Sequence, residues 1–472
     1  MTTKFSGKNH RNWTFCAVLV VLLLAVPAGA IKPAKVLDDG MVLQRGTAVP
    51  IWGKASSGQT IKVSFGGQTV KTTAGSNGHW MVKLEPFQAS DEGRPLIIEG
   101  EQKITFEDVV VGEVWLASGQ SNMVDNFGKR HNFPDTYMEK DLSGLRFSTR
   151  KGWFPVSKRD EYKLSRVAFY YACELYQALD IPIGMVLRAR NGSPIQTWLS
   201  EEAAASIRKK LEIPADWKEG NSSFAPGQQF GFNLEPVIPY AIRGAIWYQG
   251  ERNAFKNTAY EYDHLLAKLI EFWRGTWAQR ADEPLRKFPF YYVQVPAQRD
   301  GSELPWLRDR MRRALSMTEN TGMAIVLEYG PAVHPSKKKP VGRRLALWSL
   351  AKDYGRDDIV YSGPLLEDVV YKDGSAILTF RHVGSGLESK NGNKKLRFFE
   401  IAGKDGKYVS AKAEIIDEET VRVESPKVSD PAHVRYMFRQ GIPEVSLINS
   451  EGLPASSFMT DDRKPSTRRS GD

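Results

Sequence analysis

From residue 113 to residue 354 the chain alternates apolar strand patterns with helical ones, and this alternation constrains its architecture more than any other feature. Glu113–Ala117, Gly184–Ala189, Gly244–Tyr248, Phe288–Val295 and Met323–Glu328 read as strands. Val167–Leu179, Tyr260–Trp277, Trp306–Met317 and Gly342–Tyr354 read as helices. Such alternation builds a parallel sheet with helices packed on it. In open sheets of this kind, sites collect beyond the carboxyl ends of the strands. The segments that follow these strands are therefore where chemistry is expected.

The flanks have a different texture. Residues 31–110 contain short β-rich runs bounded by turn residues: Val49–Gly53, Thr60–Phe65, Thr69–Thr73, Trp80–Leu84 and Leu96–Gly100. Gly66-Gly67 between two of them is a hairpin signal. From 359 onward the chain is β-rich again, with Ala376–Phe380, Leu396–Ile401, Ala413–Ile416, Val421–Glu424 and His433–Met437 as strands. The expected organisation is a leader over 1–30, an N-terminal β-sandwich over 31–110, an α/β domain over 111–358, a C-terminal β domain over 359–462 and a disordered polar tail over 463–472.

The leader has a cationic start (Lys4, Lys8, Arg11), an apolar run over Phe15–Val26 and the small residues Ala28-Gly29-Ala30. This is the pattern of a secretory signal cleaved after Ala30, and the apolar run is short for a bilayer core of ~30 Å. A secreted or periplasmic protein with no membrane partner is expected. Without the leader's three cations the net charge of +10 falls to +7. Basic clusters such as Lys337-Lys338-Lys339 are short and scattered, so they read as solvated surface and not as a nucleic-acid site. Of two cysteines, Cys16 lies in the leader, which leaves Cys173 as a buried small hydrophobe in a helical pattern and no disulfide framework.

Four segments follow predicted strands. Gly119-Gln120-Ser121-Asn122 puts a serine in a strand-to-helix turn. It is not the Gly-x-Ser-x-Gly elbow, and a serine here is more often a helix cap. Arg190-Asn191-Gly192-Ser193-Pro194 offers a glycine N–H that can approach a substrate. Trp247-Tyr248-Gln249-Gly250-Glu251 supplies an amide able to donate to an oxyanion. His334-Pro335 sits in a loop before a helix, placed to deprotonate a serine. His131 is the rival base. Trp153, Trp198, Trp247 and Tyr248 are candidates for stacking on sugar rings, with core packing the more ordinary reading. No metal-ligand spacing and no phosphate loop appears, so neither metal nor cofactor is expected.

Taken together and in this order, the segments resemble the sialate O-acetylesterase family of carbohydrate esterases, within the SGNH hydrolases. The resemblance centres on Gly112-Glu113-Val114-Trp115-Leu116-Ala117-Ser118-Gly119-Gln120-Ser121-Asn122-Met123. It extends to Asp39–Arg45, to Trp247–Glu251, to the His-Pro step leading into Val341–Ala346, and to Glu451–Ser456. It implies an SGNH-type, flavodoxin-like parallel-sheet domain flanked by β-sandwich-like regions. It also implies Ser121 as nucleophile, His334 as base, and an oxyanion hole made by Ser121, Gly192 and Gln249.

Two departures stand out. Relatives carry an Asp two or three residues before the histidine, where this chain has Ala332 and Pro331. The nucleophile segment continues Val124-Asp125-Asn126-Phe127 in place of an acidic–aromatic pair. Glu251, Glu328 and Asn122 are the supporting candidates. The expected activity is removal of acetyl groups from glycans through an acetyl-serine. The alternatives are a glycan-binding relative without turnover and a lipase or arylesterase.

Overall fold

The computed structural model describes residues 30–128, 134, 141–156, 163–211, 224–255, 258–284, 287–298, 303–441 and 444–462. The leader, His131 and the tail from 463 lie outside the described residues.

The organising element is β1 (Lys103–Gly119), a strand of 17 residues. Its second half is the centre of a parallel run with β2 (Leu145–Thr149), β4 (Ile183–Ala189), β5 (Gly244–Tyr248), β6 (Phe290–Gln294) and β7 (Thr321–Ile325). The order is β2-β4-β1-β5-β6-β7, and β3 (Gly152–Pro155) pairs antiparallel with β2 at the edge. The first half of β1 pairs in parallel with Val42–Gln44 and antiparallel with Ser90–Glu99. The parallel sheet is therefore not self-contained. It continues through β1 into the N-terminal strands as one mixed sheet of 11 strands.

Helices cover both faces of the parallel part. Successive residues of β6 show this, because side chains alternate along a strand. Tyr291 hydrogen-bonds Asp353 on α6 (Lys339–Asp353), whereas Tyr292 hydrogen-bonds the carbonyl of Met311 on α5 (Leu304–Ala314). On the first face, α2 (Arg166–Leu179) packs against α6, and on the second α4 (Tyr262–Ala281) packs against α5. Burial on both faces is why β5 and β6 are apolar without alternation and fully buried. Trp198, Trp247 and Trp273 form an edge-on cluster under β5. Trp198 and Trp247 are thus core residues and not sugar platforms, and Trp153 and Tyr248 are buried as well.

The N-terminal hairpin forms as its sequence dictates. Thr60–Phe65 pairs with Gln68–Thr73 around Gly66-Gly67, both at positive φ. The C-terminal residues make sheets of five, four and two strands. They are fastened to the α/β layers by Arg308 of α5, which donates to the carbonyls of Met437 and Arg439, and by Gln294 of β6, which donates to Ser456 Oγ at 2.8 Å. Among the described residues no helix is long and apolar enough to cross a membrane.

Candidate active site

The register of the central strands assembles the site. Gly119 of β1 lies opposite Ala189 of β4 on one side and Tyr248 of β5 on the other. Three strand ends are therefore level, and the segments beginning at 120, 190 and 249 emerge side by side. Main-chain bonds fix their spacing: Gln120 N donates to Tyr248 O at 2.9 Å, and Arg190 N donates to Gly119 O at 3.0 Å. Gly119 has φ +135°, and a Cβ there would stand 2.2 Å from Tyr248 O. Only glycine allows the chain to leave β1 this close to its neighbour.

The exit leads straight into α1 (Ser121–Val124), a single helical turn. Ser121 opens it, so its hydroxyl lies at the carboxyl edge of the sheet. The loop after β7 returns over this edge, and His334 Nε2 comes to 2.8 Å from Ser121 Oγ. With Nε2 unprotonated, the hydroxyl donates to the ring, which is the geometry of a serine and its base. The described residues thus bring Ser121 and His334 together. His79 and His433 sit in β strands of the flanking regions, His382 beside Trp348 and Tyr361, and His264 on α4.

Beneath this pair lies a buried polar cluster. Asn122 Nδ2 donates to Glu251 Oε1 at 2.5 Å and to the main-chain oxygen of Val333 at 2.9 Å, while its Oδ1 accepts from Lys338 Nζ. Lys338 Nζ is also 3.8 Å from Asp125 Oδ2. Asp125 pairs with Arg166 of α2 at 3.1 Å, and Arg166 donates to the carbonyl of Ser336. Burial raises the Glu251 carboxyl pKa. Burial also lowers the Lys338 ammonium to about 8, against the upward pull of Asp125 and Glu251. Lys338 is 0% exposed, which corrects its reading as part of a solvated lysine run.

A second network braces the Gly192 segment. Gln249 Nε2 faces Asn253 Oδ1 at 2.8 Å, Gln120 Oε1 at 3.1 Å and Ser193 O at 3.2 Å, and its Oε1 accepts from Tyr262 at 2.7 Å. Asn253 accepts from Ile195 N and donates to Gln196 and Thr258. An amide has two N–H groups, and here three protein acceptors surround them. Gln249 is thus placed as a brace between the serine and Gly192 segments, and not as an open donor as the sequence suggested. Gly192 itself is partly exposed with φ +66°, a conformation glycine adopts without strain. Among the described residues no acceptor takes the N–H of Ser121 or of Gly192.

Glu328, a candidate to orient His334, is committed elsewhere: its Oε1 is 2.5 Å from Arg344 of α6. Asp125, partly exposed, pairs with Arg166 and faces Lys338. Sequence reasoning missed Lys338, Arg166 and Asn253. The signal for Asn253 was its place just after the Gln-Gly-Glu step. No comparable signal marks Lys338 or Arg166.

Residues 111–327 match the family described as carbohydrate esterase, sialic acid-specific acetylesterase. The sialate O-acetylesterase of Homo sapiens is 27% identical over 421 residues, covering 78% of this chain and 79% of that protein. That of Rattus norvegicus is 26% identical over 431 residues, covering 74% and 79%. The crystal structure of a carbohydrate acetylesterase from Xanthomonas citri superposes with a TM-score of 0.81 at 31% identity, covering 92% of this chain and all of that one. The chain belongs to the sialate O-acetylesterase family of carbohydrate esterases and is a carboxylic ester hydrolase.

Proposed function

We propose that the protein removes O-acetyl groups from carbohydrates through an acetyl-serine intermediate and acts outside the cytoplasm. The observation that carries the mechanism is the 2.8 Å contact between Ser121 Oγ and His334 Nε2 at three level strand ends. Ser121 Oγ attacks the acetyl carbonyl carbon as its proton passes to His334. The negative oxygen that forms is held by the N–H groups of Ser121 and Gly192, and Gln249 sets the separation of these two donors through Gln120 and Ser193. The tetrahedral centre collapses, the bond to the sugar oxygen breaks, and His334 returns the proton to that oxygen. Water, deprotonated by His334, then attacks the acetyl-serine, releasing acetate and restoring Ser121. The substrate is an acetylated glycan. Membership of the family and the names of its relatives support that class.

The test is acetate release from a panel of acetylated glycans, with labelling by a serine-directed phosphonate. Wild type is expected to release acetate and to be labelled at Ser121, and Ser121→Ala to do neither. Saturable glycan binding without acetate release, unchanged by Ser121→Ala, would overturn the proposal in favour of a binding protein.

A further inference from the structure

The Asn122 amide is a point where the orientation of one side chain decides the geometry of another segment. An amide turned by half a rotation exchanges donor for acceptor. Here one side of the amide faces two acceptors, Glu251 Oε1 and Val333 O, and the other faces Lys338 Nζ. An ammonium has donors only, so it accepts nothing from Nδ2 and requires Oδ1 on its side. That leaves Nδ2 to hold Val333 O, the carbonyl immediately before His334.

We infer that Lys338 is a positioning residue of the esterase site: its buried ammonium fixes the Asn122 amide, and the amide in turn fixes the main chain that presents His334 to Ser121. The assignment rests on the esterase reading above. Lys338 touches neither reacting atom; it acts through Asn122.

The surroundings show what holds the charge in place. From the nucleophile's turn, Asn122 and Asp125 face Lys338, with Asp125 Oδ2 at 3.8 Å. From β5 and the turn after it come the Tyr248 ring, 5.4 Å from Nζ to its centre, and the Glu251 carboxylate. From α2 comes Arg166, which repels Lys338 and neutralises Asp125. Two acidic side chains, Asp125 and Glu251, thus stand against two basic ones, Lys338 and Arg166. Loss of the Lys338 proton leaves an excess negative charge under the site and gives Nζ a lone pair, so the amide is no longer held to one orientation. The depressed ammonium, at about 8, puts this release within reach of mild alkali.

The experiment is a pH profile of kcat and KM on an acetyl ester, corrected for spontaneous hydrolysis, for the full chain and for Lys338→Met and Lys338→Arg. Wild-type kcat is expected to fall as pH rises through the titration of Lys338. Lys338→Met should lose about 10²-fold in kcat at neutral pH, the scale of a small misplacement of a reacting group, with KM little changed and the alkaline limb gone. Lys338→Arg, a cation at every pH used, should recover part of kcat and move the limb upward. Retention of kcat in Lys338→Met, or an alkaline limb at the same pH in that variant, would overturn the assignment and leave the esterase reading standing. If Lys338→Met fails to fold, a wild-type kcat that is flat from neutral pH into the alkaline range overturns it. No turnover in wild type removes the esterase reading, and the assignment with it.

Discussion

Ser121 and His334 meet at hydrogen-bond distance, yet their positions are set in different ways. Ser121 follows the central strand, which is paired in parallel on both sides, and main-chain bonds hold the turn that carries it. His334 follows β7, the last strand of the parallel run, which among the described residues pairs only with β6. Its loop is held to the Ser121 side of the site by side chains: Asn122 on the carbonyl of Val333, Arg166 on the carbonyl of Ser336, and Asn122 again on Lys338. One half of the site is a product of sheet register, with the Gln249 amide as its side-chain brace. The other half is only as exact as a buried polar cluster, in which each unsatisfied group carries a penalty.

The comparison can be broken at its centre first. His334→Ala is expected to cost about 10⁴-fold or more in kcat, as loss of a base that works as a unit with its serine does. Steady-state kinetics per mole of folded protein checks this, and residual activity within tenfold of wild type would remove His334 from the reaction. Next, Gln249→Ala attacks the register-built half. It strips a brace from Gln120, Ser193 and Asn253, with an expected loss of about 10²–10³-fold in kcat, the scale of a disturbed oxyanion site. A change in KM alone would show that the brace serves binding and not the oxyanion.

Asn122→Ala attacks the clamped half. It frees Val333 O and leaves Glu251 and Lys338 without their shared partner, with an expected kcat loss of about 10²-fold and a stability loss of about 1–3 kcal/mol for stranded buried groups. Crystallography of the variant should show the 333–338 loop shifted while the turn at 119–121 stays in place. Movement of both would refute the division.

A smaller effect separates activity from stability. Lys338 sits at about 8 in the folded protein against an ordinary 10.5. Between these values the unfolded chain binds the extra proton, so this group's contribution to stability rises with pH across that window. Denaturant midpoints of wild type relative to Lys338→Met should therefore climb from pH 8 to 10 while relative kcat falls. Parallel declines would show a purely structural lysine. Smallest in activity, Glu328→Gln should leave kcat/KM within about threefold and reduce stability by about 1–3 kcal/mol, since it removes the charge that pairs with the largely buried Arg344.

The two halves also differed in how far the sequence revealed them. β5 is recovered to the residue and β4 and α2 to within one, because apolar runs and helical spacing report burial directly. Ser121 and Gly192 were legible as residues at strand ends. β2 was not legible, since Arg146 and Ser148 are buried polar residues that hide its pattern. Helix α3 (Glu201–Lys210) buries only Ala204 and Ile207 and so shows little apolar face. Lys338 was misread because three consecutive lysines look like solvated charge. What buries the middle one is a carboxylate and an amide more than eighty residues away in sequence, and no local pattern reports that.

The 17-residue strand β1 carries a consequence for how the protein is built and inherited. Its first half belongs to the sheet of the N-terminal strands, and its second half ends at the turn that carries Ser121. The N-terminal region is therefore not a bead on a string that can be exchanged or removed. Cutting at residue 110 would sever the strand that delivers Ser121 and expose open sheet edges to aggregation. Heating should melt the two regions in one cooperative transition, and recombination should respect the strand and not the apparent boundary between β and α/β sequence.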